Sequence, residues 1–270
     1  MNIIEAIVLG AVQGLTEFIP VSSSGHLVLV RELFGINNAQ GLAFDAVLHL
    51  STSFAVLVYF WPEIKILFQT ALLWLKDKNG SDEEIEKENL NLLKALILGT
   101  IPVVIVAFFF EGFITGDLRS PLVVAAALIA GSIIFWLAEQ TGDGRRRLTP
   151  KRGLLAGSAQ IIALIPGISR SGITIAGGLF AGLNREMATK FSFLLAFPIV
   201  FGAGLKKLLD LGFNGLLEEL GLTIIVGSFA AFIFGYISIK YMLHYLKNHS
   251  LTIFVVYRII LAAVVIIAVL

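Results

Sequence analysis

Two polar stretches interrupt long apolar parts of this chain, and both contain ionisable side chains beside hydroxyls. The first is residues 13–26, with the sequence QGLTEFIPVSSSGH, and the second is residues 166–174, with the sequence PGISRSGIT. An ionisable side chain at lipid depth costs about 3 kcal/mol on insertion scales, so such residues are functional candidates by default. The first stretch contains a carboxylate and an imidazole and the second contains a guanidinium, and these groups are chemically complementary.

In the first stretch, Glu17 follows Gln13 by four residues, so both side chains lie on one face of a predicted helix. Pro20 ends that helix. A carboxylate in this position can hold a divalent cation that bridges phosphate oxygens, and Glu17 is the metal ligand that the sequence predicts. A proton relay, or a structural ion pair with Arg170, would also account for Glu17.

A second short helix is predicted after Pro20, and its start carries the hydroxyls of Ser22, Ser23 and Ser24. Serine is a favoured N-cap, and N–H groups exposed at a helix start bind anions. His26 lies three residues after Ser23, within reach of its hydroxyl as a base or an acid. Serines in membrane helices also cap or pack without further function, and the sequence leaves that alternative open.

The second stretch is centred on Arg170, whose planar guanidinium suits bidentate phosphate binding. Hydroxyl side chains surround it as in the first stretch, namely Ser169, Ser171 and Thr174. Cations, helix N-termini, a hydroxyl or water as nucleophile, and a base are the parts that phosphoryl transfer requires. The stretch has no lysine where a Walker A loop has one, which argues against a nucleoside triphosphatase.

The composition predicts an integral membrane protein with a single membrane domain, residues 1–270. The chain is 57% hydrophobic and 14% charged, and its mean hydropathy is +0.90, whereas about a quarter of the residues in a soluble domain are charged. The absence of cysteine excludes disulfides and thiolate chemistry. The net charge of +1 gives no reason to expect nucleic acid as a partner. No basic region precedes the N-terminal apolar run, so no cleavable signal peptide is expected.

The predicted fold class is an all-α polytopic membrane protein with six transmembrane helices and two re-entrant helix hairpins. A span needs about 20 apolar residues, and the segments that qualify are 42–61, 92–110, 121–138, 187–205, 222–243 and 251–270. Segments 3–35 and 154–183 are apolar but interrupted near their middles, and each half is short for a span. Non-helical backbone at membrane depth must be buried in protein or line a cavity. Asp45 and His49 are four residues apart within one predicted span and are expected to form a buried pair.

The distribution of Lys and Arg predicts the orientation of these spans. The basic segment 145–152, with the sequence RRRLTPKR, is assigned to the cytoplasm. Alternation then places segments 62–91 and 244–250 inside, with 76–91 as a polar cytoplasmic loop that contains some helix. The segments predicted to lie outside, together with both termini, are 36–41, 111–120 and 206–221.

The chain also repeats itself weakly at an offset of 147 residues. The identical pairs at this offset include Gln13 with Gln160, Ser22 with Ser169, Ser24 with Ser171 and Gly25 with Gly172. Three predicted spans separate the two polar stretches, and an odd number inverts the second copy, so inverted-topology repeats are expected over about 1–115 and 150–270. Broken helices of inverted repeats mark the binding sites of many transporters. A transporter or flippase of an anionic lipid or small substrate is therefore the alternative function, and shared hydropathy is the alternative origin of the matches.

The two stretches resemble the signature motifs of the undecaprenyl-diphosphate phosphatases of the bacitracin-resistance type. The residues that carry the resemblance are Gln13-x-x-x-Glu17, the segment PVSSSGH at 20–26 and the segment PGISRSGIT at 166–174. The family has Glu or Gln at the first of these positions. Gln13 cannot act as a charged metal ligand or a base, which shifts those roles onto Glu17.

This resemblance implies an enzyme of the bacterial cytoplasmic (inner) membrane that hydrolyses undecaprenyl diphosphate to undecaprenyl phosphate and phosphate, recycling the carrier lipid for cell-wall synthesis. It also implies a divalent cation, Mg²⁺ or Ca²⁺, a polyprenyl diphosphate substrate held among membrane lipids, and an active site toward the outer face. The site residues carried over are Glu17, Ser23, His26, Arg170 and Thr174, with Gln13 and Ser169 beside them. Ser23 and a metal-activated water both remain candidate nucleophiles. The sequence does not determine the metal, the chain-length preference or whether a homo-oligomer forms.

Overall fold

The computed structural model describes residues 1–36, 38–76, 86–115, 120–213 and 221–269, which consist of helices and their connections. The α-helices in these ranges are α1 (Ile3–Phe18), α2 (Ser23–Phe34), α3 (Asn38–Tyr59), α4 (Trp61–Lys76), α5 (Lys87–Thr115), α6 (Pro121–Gln140), α7 (Pro150–Ser158), α8 (Arg170–Phe180), α9 (Arg185–Phe213), α10 (Leu222–Asn248) and α11 (Thr252–Val269). A 3-10 helix, Ala159–Leu164, follows α7 directly. The described part of the chain contains no β-strand, and the predicted all-α class is confirmed.

Several of these helices are long and apolar enough to cross a membrane. The stretches that qualify are Lys87–Phe110 in α5, Pro121–Gln140 in α6, Arg185–Lys206 in α9 and Leu222–Asn248 in α10. Helices α3 and α4 meet at an 80° bend and together provide a further candidate crossing, while the apolar part of α11 is shorter. The protein is therefore a polytopic membrane protein. The finer arrangement of six spans and two re-entrant hairpins stays a prediction.

The first part of segment 62–91, which is predicted to lie inside, is helical. Residues Trp61–Lys76 form α4, because the sequence WPEIKILFQTALLWLK is rich in apolar helix formers and has its proline at the second helical position, where proline is tolerated. Most of the predicted polar loop, 77–85, lies outside the described residues. Parts of the predicted outer segments also lie outside them, namely 37, 116–119 and 214–220.

Helix α1, which carries the first candidate carboxylate, packs closely against α10 through small residues. A Cβ atom on Gly10 would lie 2.3 Å from the carbonyl oxygen of Gly227, and one on Gly14 would lie 2.6 Å from that of Ala231. Small residues at such contacts allow the backbones of two membrane helices to approach each other. Helix α1 therefore has little freedom to move relative to α10.

Each polar stretch lies at a break between two helical segments. Helix α1 ends at Phe18 and α2 begins at Ser23, while the 3-10 helix ends at Leu164 and α8 begins at Arg170. Helices α2 and α8 have 12 and 11 residues, well short of the roughly 20 that a crossing needs. The second stretch is reached through a 3-10 helix, whereas α1 stays α-helical to its end, so the two sequence repeats differ in structure before the break.

Candidate active site

Ser22 and Ser169 occupy equivalent places at the two breaks and share an unusual backbone conformation. Each has a φ of 74°, and glycines are the other described residues with positive φ. Each side chain accepts a hydrogen bond of 3.3 Å from the N–H three residues later, that of Gly25 or Gly172. Such a backbone costs roughly 1–3 kcal/mol and persists where the surroundings enforce it. Both serines are therefore N-caps in firmly held turns, and their contact with a substrate stays a prediction.

The two breaks meet at Glu17, whose side chain is buried. One carboxylate oxygen, Oε1, pairs with the guanidinium of Arg170 from the second break. The other oxygen, Oε2, accepts hydrogen bonds from the Ser23 hydroxyl at 2.7 Å and from the Gln13 side-chain amide at 2.8 Å. One carboxylate thus contacts three other predicted site residues, one of them 153 residues away.

His49 on α3 also belongs to this cluster, although its position there could not be inferred from the sequence. Its Nδ1 lies 3.2 Å from Oε2 of Glu17 and 2.9 Å from the side-chain nitrogen of Gln13. The sequence predicts a buried pair with Asp45 one turn earlier, but Asp45 binds Arg31 of α2. The signal in the sequence that could have indicated a role for His49 is its position as a polar residue inside an apolar span. Spacing along one helix does not reveal which neighbouring helix the side chain faces.

His26 points away from the cluster. Its Nδ1 lies 2.8 Å from the carbonyl oxygen of Ser22, and its Nε2 lies 2.6 Å from the hydroxyl of Tyr257 on α11, with the two rings stacked. The sequence predicts that the His26 imidazole can contact the Ser23 hydroxyl, but in the structure these two groups have other partners. The imidazole is held by α11, and the hydroxyl donates to Glu17. A catalytic role of His26 stays a prediction.

The remaining predicted hydroxyl residues contact the breaks themselves. The hydroxyls of Ser24 and Ser171 lie 3.2 Å and 3.3 Å from those of the two capping serines. Thr174 is buried, and its hydroxyl donates to the carbonyl oxygen of Arg170 one turn earlier, at 2.8 Å. These contacts stabilise the first turns of α2 and α8, from which Ser23 and Arg170 project.

A cavity of about 490 Å³ lies beside Glu17. Its polar lining consists of Glu17, Ser22, Ser23, Ser24, Arg31, Asp45, His49, Ser169 and Arg170. Apolar side chains such as Val28, Val124 and Val200 complete the wall. Ligand sites typically have volumes of about 300–1,000 Å³ and mostly apolar walls with a few polar groups. The cavity can therefore hold a charged group at its polar end and hydrocarbon against its wall.

Arg258 on α11 holds the second break in place, which its position in the sequence did not reveal. It is fully buried and donates to the carbonyl oxygens of Leu128 at 3.1 Å and Gly167 at 3.0 Å, and to the Ser132 hydroxyl at 3.2 Å. Its guanidinium also lies over the ring of Phe135 at 4.7 Å. Gly167 belongs to the second break, and the other three residues belong to α6. Arg258 of α11 therefore links the second break to both α6 and α11.

The fold and the cavity define a class: a polytopic helical membrane protein with a cavity lined by charged side chains, built where two helical segments are broken. The family model described as "Bacitracin resistance protein BacA" matches residues 6–264. The chain belongs to the BacA family.

Relatives from several bacteria are similar over nearly the whole chain. A protein named undecaprenyl-diphosphatase from Desulforudis audaxviator (strain MP104C) is 41% identical over 270 residues, covering 99% of this chain and 98% of the relative. One from Elusimicrobium minutum is 42% identical over 268 residues, with 99% and 98% coverage. One from Corynebacterium glutamicum is 44% identical over 260 residues, with 95% and 87% coverage. The family resemblance predicted from the two motifs is confirmed.

Proposed function

We propose that this chain hydrolyses undecaprenyl diphosphate to undecaprenyl phosphate and phosphate, which recycles the carrier lipid for cell-wall synthesis and gives bacitracin resistance. The BacA family and the names of the relatives support this activity. The observation that carries it is the hydrogen bond from the Ser23 hydroxyl to Glu17, whose other oxygen pairs with Arg170. In this proposal Ser23 is the nucleophile, Glu17 is its base and Arg170 binds the phosphate, and the contacts of Glu17 with the other two residues support these roles.

In the first step, Oε2 of Glu17 accepts the hydroxyl proton of Ser23 as Oγ attacks the terminal phosphorus. The bond between that phosphorus and the bridging oxygen breaks, and undecaprenyl phosphate leaves with the electron pair. Because a phosphate monoester has a second pKa of about 6, this leaving group is stable as an anion and needs no general acid. The step is therefore compatible with a His26 ring that is bound to Tyr257.

Arg170 changes partners in this scheme. It pairs with Glu17 in the structure, and it moves to the phosphoryl oxygens when the substrate enters, since a guanidinium binds phosphate in a bidentate manner. The N–H groups at the starts of α2 and α8 offer further donors to the same anion. Glu17 is then free to accept the proton of Ser23.

The second step restores the serine. The departing phosphate or solvent takes the proton from Glu17, and water attacks the phosphoserine. Glu17 accepts one proton from this water and returns it to Oγ of Ser23 as inorganic phosphate leaves. A single carboxylate thus acts as base and acid in turn.

A divalent cation, Mg²⁺ or Ca²⁺, is part of the proposal, with Glu17 as its protein ligand through Oε1, the oxygen that Arg170 leaves, so that Oε2 can still act as the base. Mg²⁺ is usually held by one or two carboxylates together with substrate phosphates and water. The described residues contain no group of three or more His, Asp or Glu side chains that could hold a metal ion by themselves. When bound, the cation would offset negative charge on the diphosphate oxygens.

The proposed setting is the bacterial cytoplasmic membrane, with six spans and two re-entrant hairpins, and with the cavity open toward the outer face. The Lys and Arg distribution supports this orientation, and the matching backbone of Ser22 and Ser169 supports paired breaks. Because the chain has no cysteine, single cysteines report its topology cleanly. We expect a membrane-impermeant thiol reagent to label Asn2→Cys in intact cells, and to label Lys151→Cys only after the membrane is opened. Protection of Asn2→Cys in intact cells would contradict the orientation.

Phosphate release tests the activity directly. We expect the purified protein in detergent to release one inorganic phosphate per undecaprenyl diphosphate without any gradient. Glu17→Gln should abolish this release, whereas the matched variant Glu139→Gln, which alters a carboxylate paired with Arg185 outside the cavity, should retain it. A transporter or flippase would leave the diphosphate intact, so binding without phosphate release would favour that alternative.

A further inference from the structure

A second arginine–carboxylate pair lines the same cavity as Glu17 and Arg170. Arg31 of α2 and Asp45 of α3 form an ion pair, and both belong to the cavity lining. Arg31 is 5% exposed and Asp45 is 9% exposed. The cavity therefore contains two guanidinium groups, and each is paired with one carboxylate.

The Arg31 guanidinium retains donor capacity beyond its bond to Asp45. A guanidinium has five N–H donors and no acceptor, and Nε of Arg31 is buried without a hydrogen-bond partner among the described residues. A buried donor left unpaired is costly, and a buried ion pair is weak evidence for stability as such. An arginine in this state is better explained by a ligand that it binds than by the fold.

The charges of the cavity point to what that ligand is. The carboxylates of Glu17 and Asp45 balance the two arginines in its lining. A diphosphate brings two anionic groups, and each guanidinium can exchange its carboxylate for a phosphate, because a guanidinium binds both kinds of group in a bidentate manner. The cavity lining therefore contains one guanidinium group for each phosphate of a diphosphate.

We propose that Arg31 binds the phosphate that stays on the lipid, while Arg170 and Ser23 bind the phosphate that is removed. The distinction between a phosphate that stays on the lipid and one that is removed rests on the proposed function. It adds a subsite that recognises a diphosphate as distinct from a monophosphate. Asp45 keeps Arg31 in position while the cavity holds no ligand.

Binding of pyrophosphate and orthophosphate to the full-length protein tests this subsite without relying on turnover. Both affinities are measured by calorimetry in detergent with Mg²⁺ present. Pyrophosphate can occupy both phosphate subsites, whereas orthophosphate needs one. For Arg31→Gln we expect pyrophosphate affinity to fall about tenfold or more, the effect of losing a charged hydrogen-bonding group. Orthophosphate affinity should change less than about twofold.

Two further variants separate binding from structure. Asp45→Asn releases Arg31 from its counter-ion and should tighten pyrophosphate binding. The double variant Arg31→Gln/Asp45→Asn leaves no unpaired buried charge, so it should fold even where Arg31→Gln alone does not, and it should bind pyrophosphate as weakly as Arg31→Gln. Wild-type pyrophosphate affinity in the double variant would overturn the proposal, because the pair would then be only structural. Equal losses for both anions in Arg31→Gln would overturn it as well.

Failure of the subsite and failure of the proposed activity remain distinguishable. The protein could bind pyrophosphate in a way that depends on Arg31 and yet release no phosphate from undecaprenyl diphosphate. That result would support the Arg31 subsite and contradict the proposed hydrolysis. If hydrolysis is normal but the Arg31 substitution leaves pyrophosphate affinity unchanged, only the proposed Arg31 subsite is contradicted.

Discussion

Replacement of Arg170 by lysine is expected to lower kcat/KM for undecaprenyl diphosphate about 100-fold or more. Lysine keeps the positive charge but offers a point charge in place of two parallel donors, and loss of one donor to a transition-state oxyanion typically costs about 10²–10³ in rate. The pair with Glu17 would survive in part, so the variant should still fold. Initial rates of phosphate release, together with thermal unfolding in detergent, measure both effects.

The chain offers a matched control for this substitution. Arg185 pairs with Glu139 at 2.5 Å and lies outside the cavity lining, so Arg185→Lys makes the same chemical change without touching the proposed site. We expect its kcat/KM to stay within about threefold of wild type, in the range of ordinary exposed or partly exposed substitutions. Near-normal turnover by the Arg170 variant would show that the guanidinium does not clamp the phosphate.

Ser23→Ala is expected to reduce turnover by about 10³-fold or more, because removal of a covalent nucleophile disables the whole catalytic unit. The wild-type enzyme, quenched with acid early in the reaction, should carry a phosphoserine at position 23 that mass spectrometry can locate. Ser24→Ala is the matched control. The Ser24 hydroxyl lies against Ser22 instead of Glu17, so its loss should lower the rate less than about tenfold.

Robust multiple turnover by Ser23→Ala would contradict the covalent route. It would leave water as the nucleophile, with Glu17 as its base. In that case Glu17→Gln should remain severely impaired, and no phosphoserine should accumulate in the wild type. The two mechanisms therefore predict different results for Ser23 and the same result for Glu17.

The local features of the site follow from short-range spacing, which is why they could be predicted. Gln13 and Glu17 are four positions apart in the sequence, and helix geometry alone places them on the same face. The serine caps depend on groups within one turn. The contact between Glu17 and Arg170 could be proposed, because each motif contains the charge that the other lacks.

Contacts that depend on how helices pack could not be predicted in the same way. His49 turns to Glu17 and Asp45 turns to Arg31, although their spacing suggested a pair with each other. The orientation of His26 depends on Tyr257, which lies 231 residues later. A single sequence shows which residues share a helix face but not which helix that face meets.

The contacts of α11 have a consequence for how the protein is made. Two adjacent residues of this helix touch both breaks: Tyr257 contacts His26 at the first, and Arg258 donates to Gly167 at the second. Translation produces α11 after every other described helix, so both turns lack these supports while the earlier helices are already entering the bilayer. A chain that stalls or is cut before Thr252 would keep both sequence motifs and most of its apolar helices. We expect such a chain to be inserted but inactive, since the active site reaches its final form only when the last helix docks.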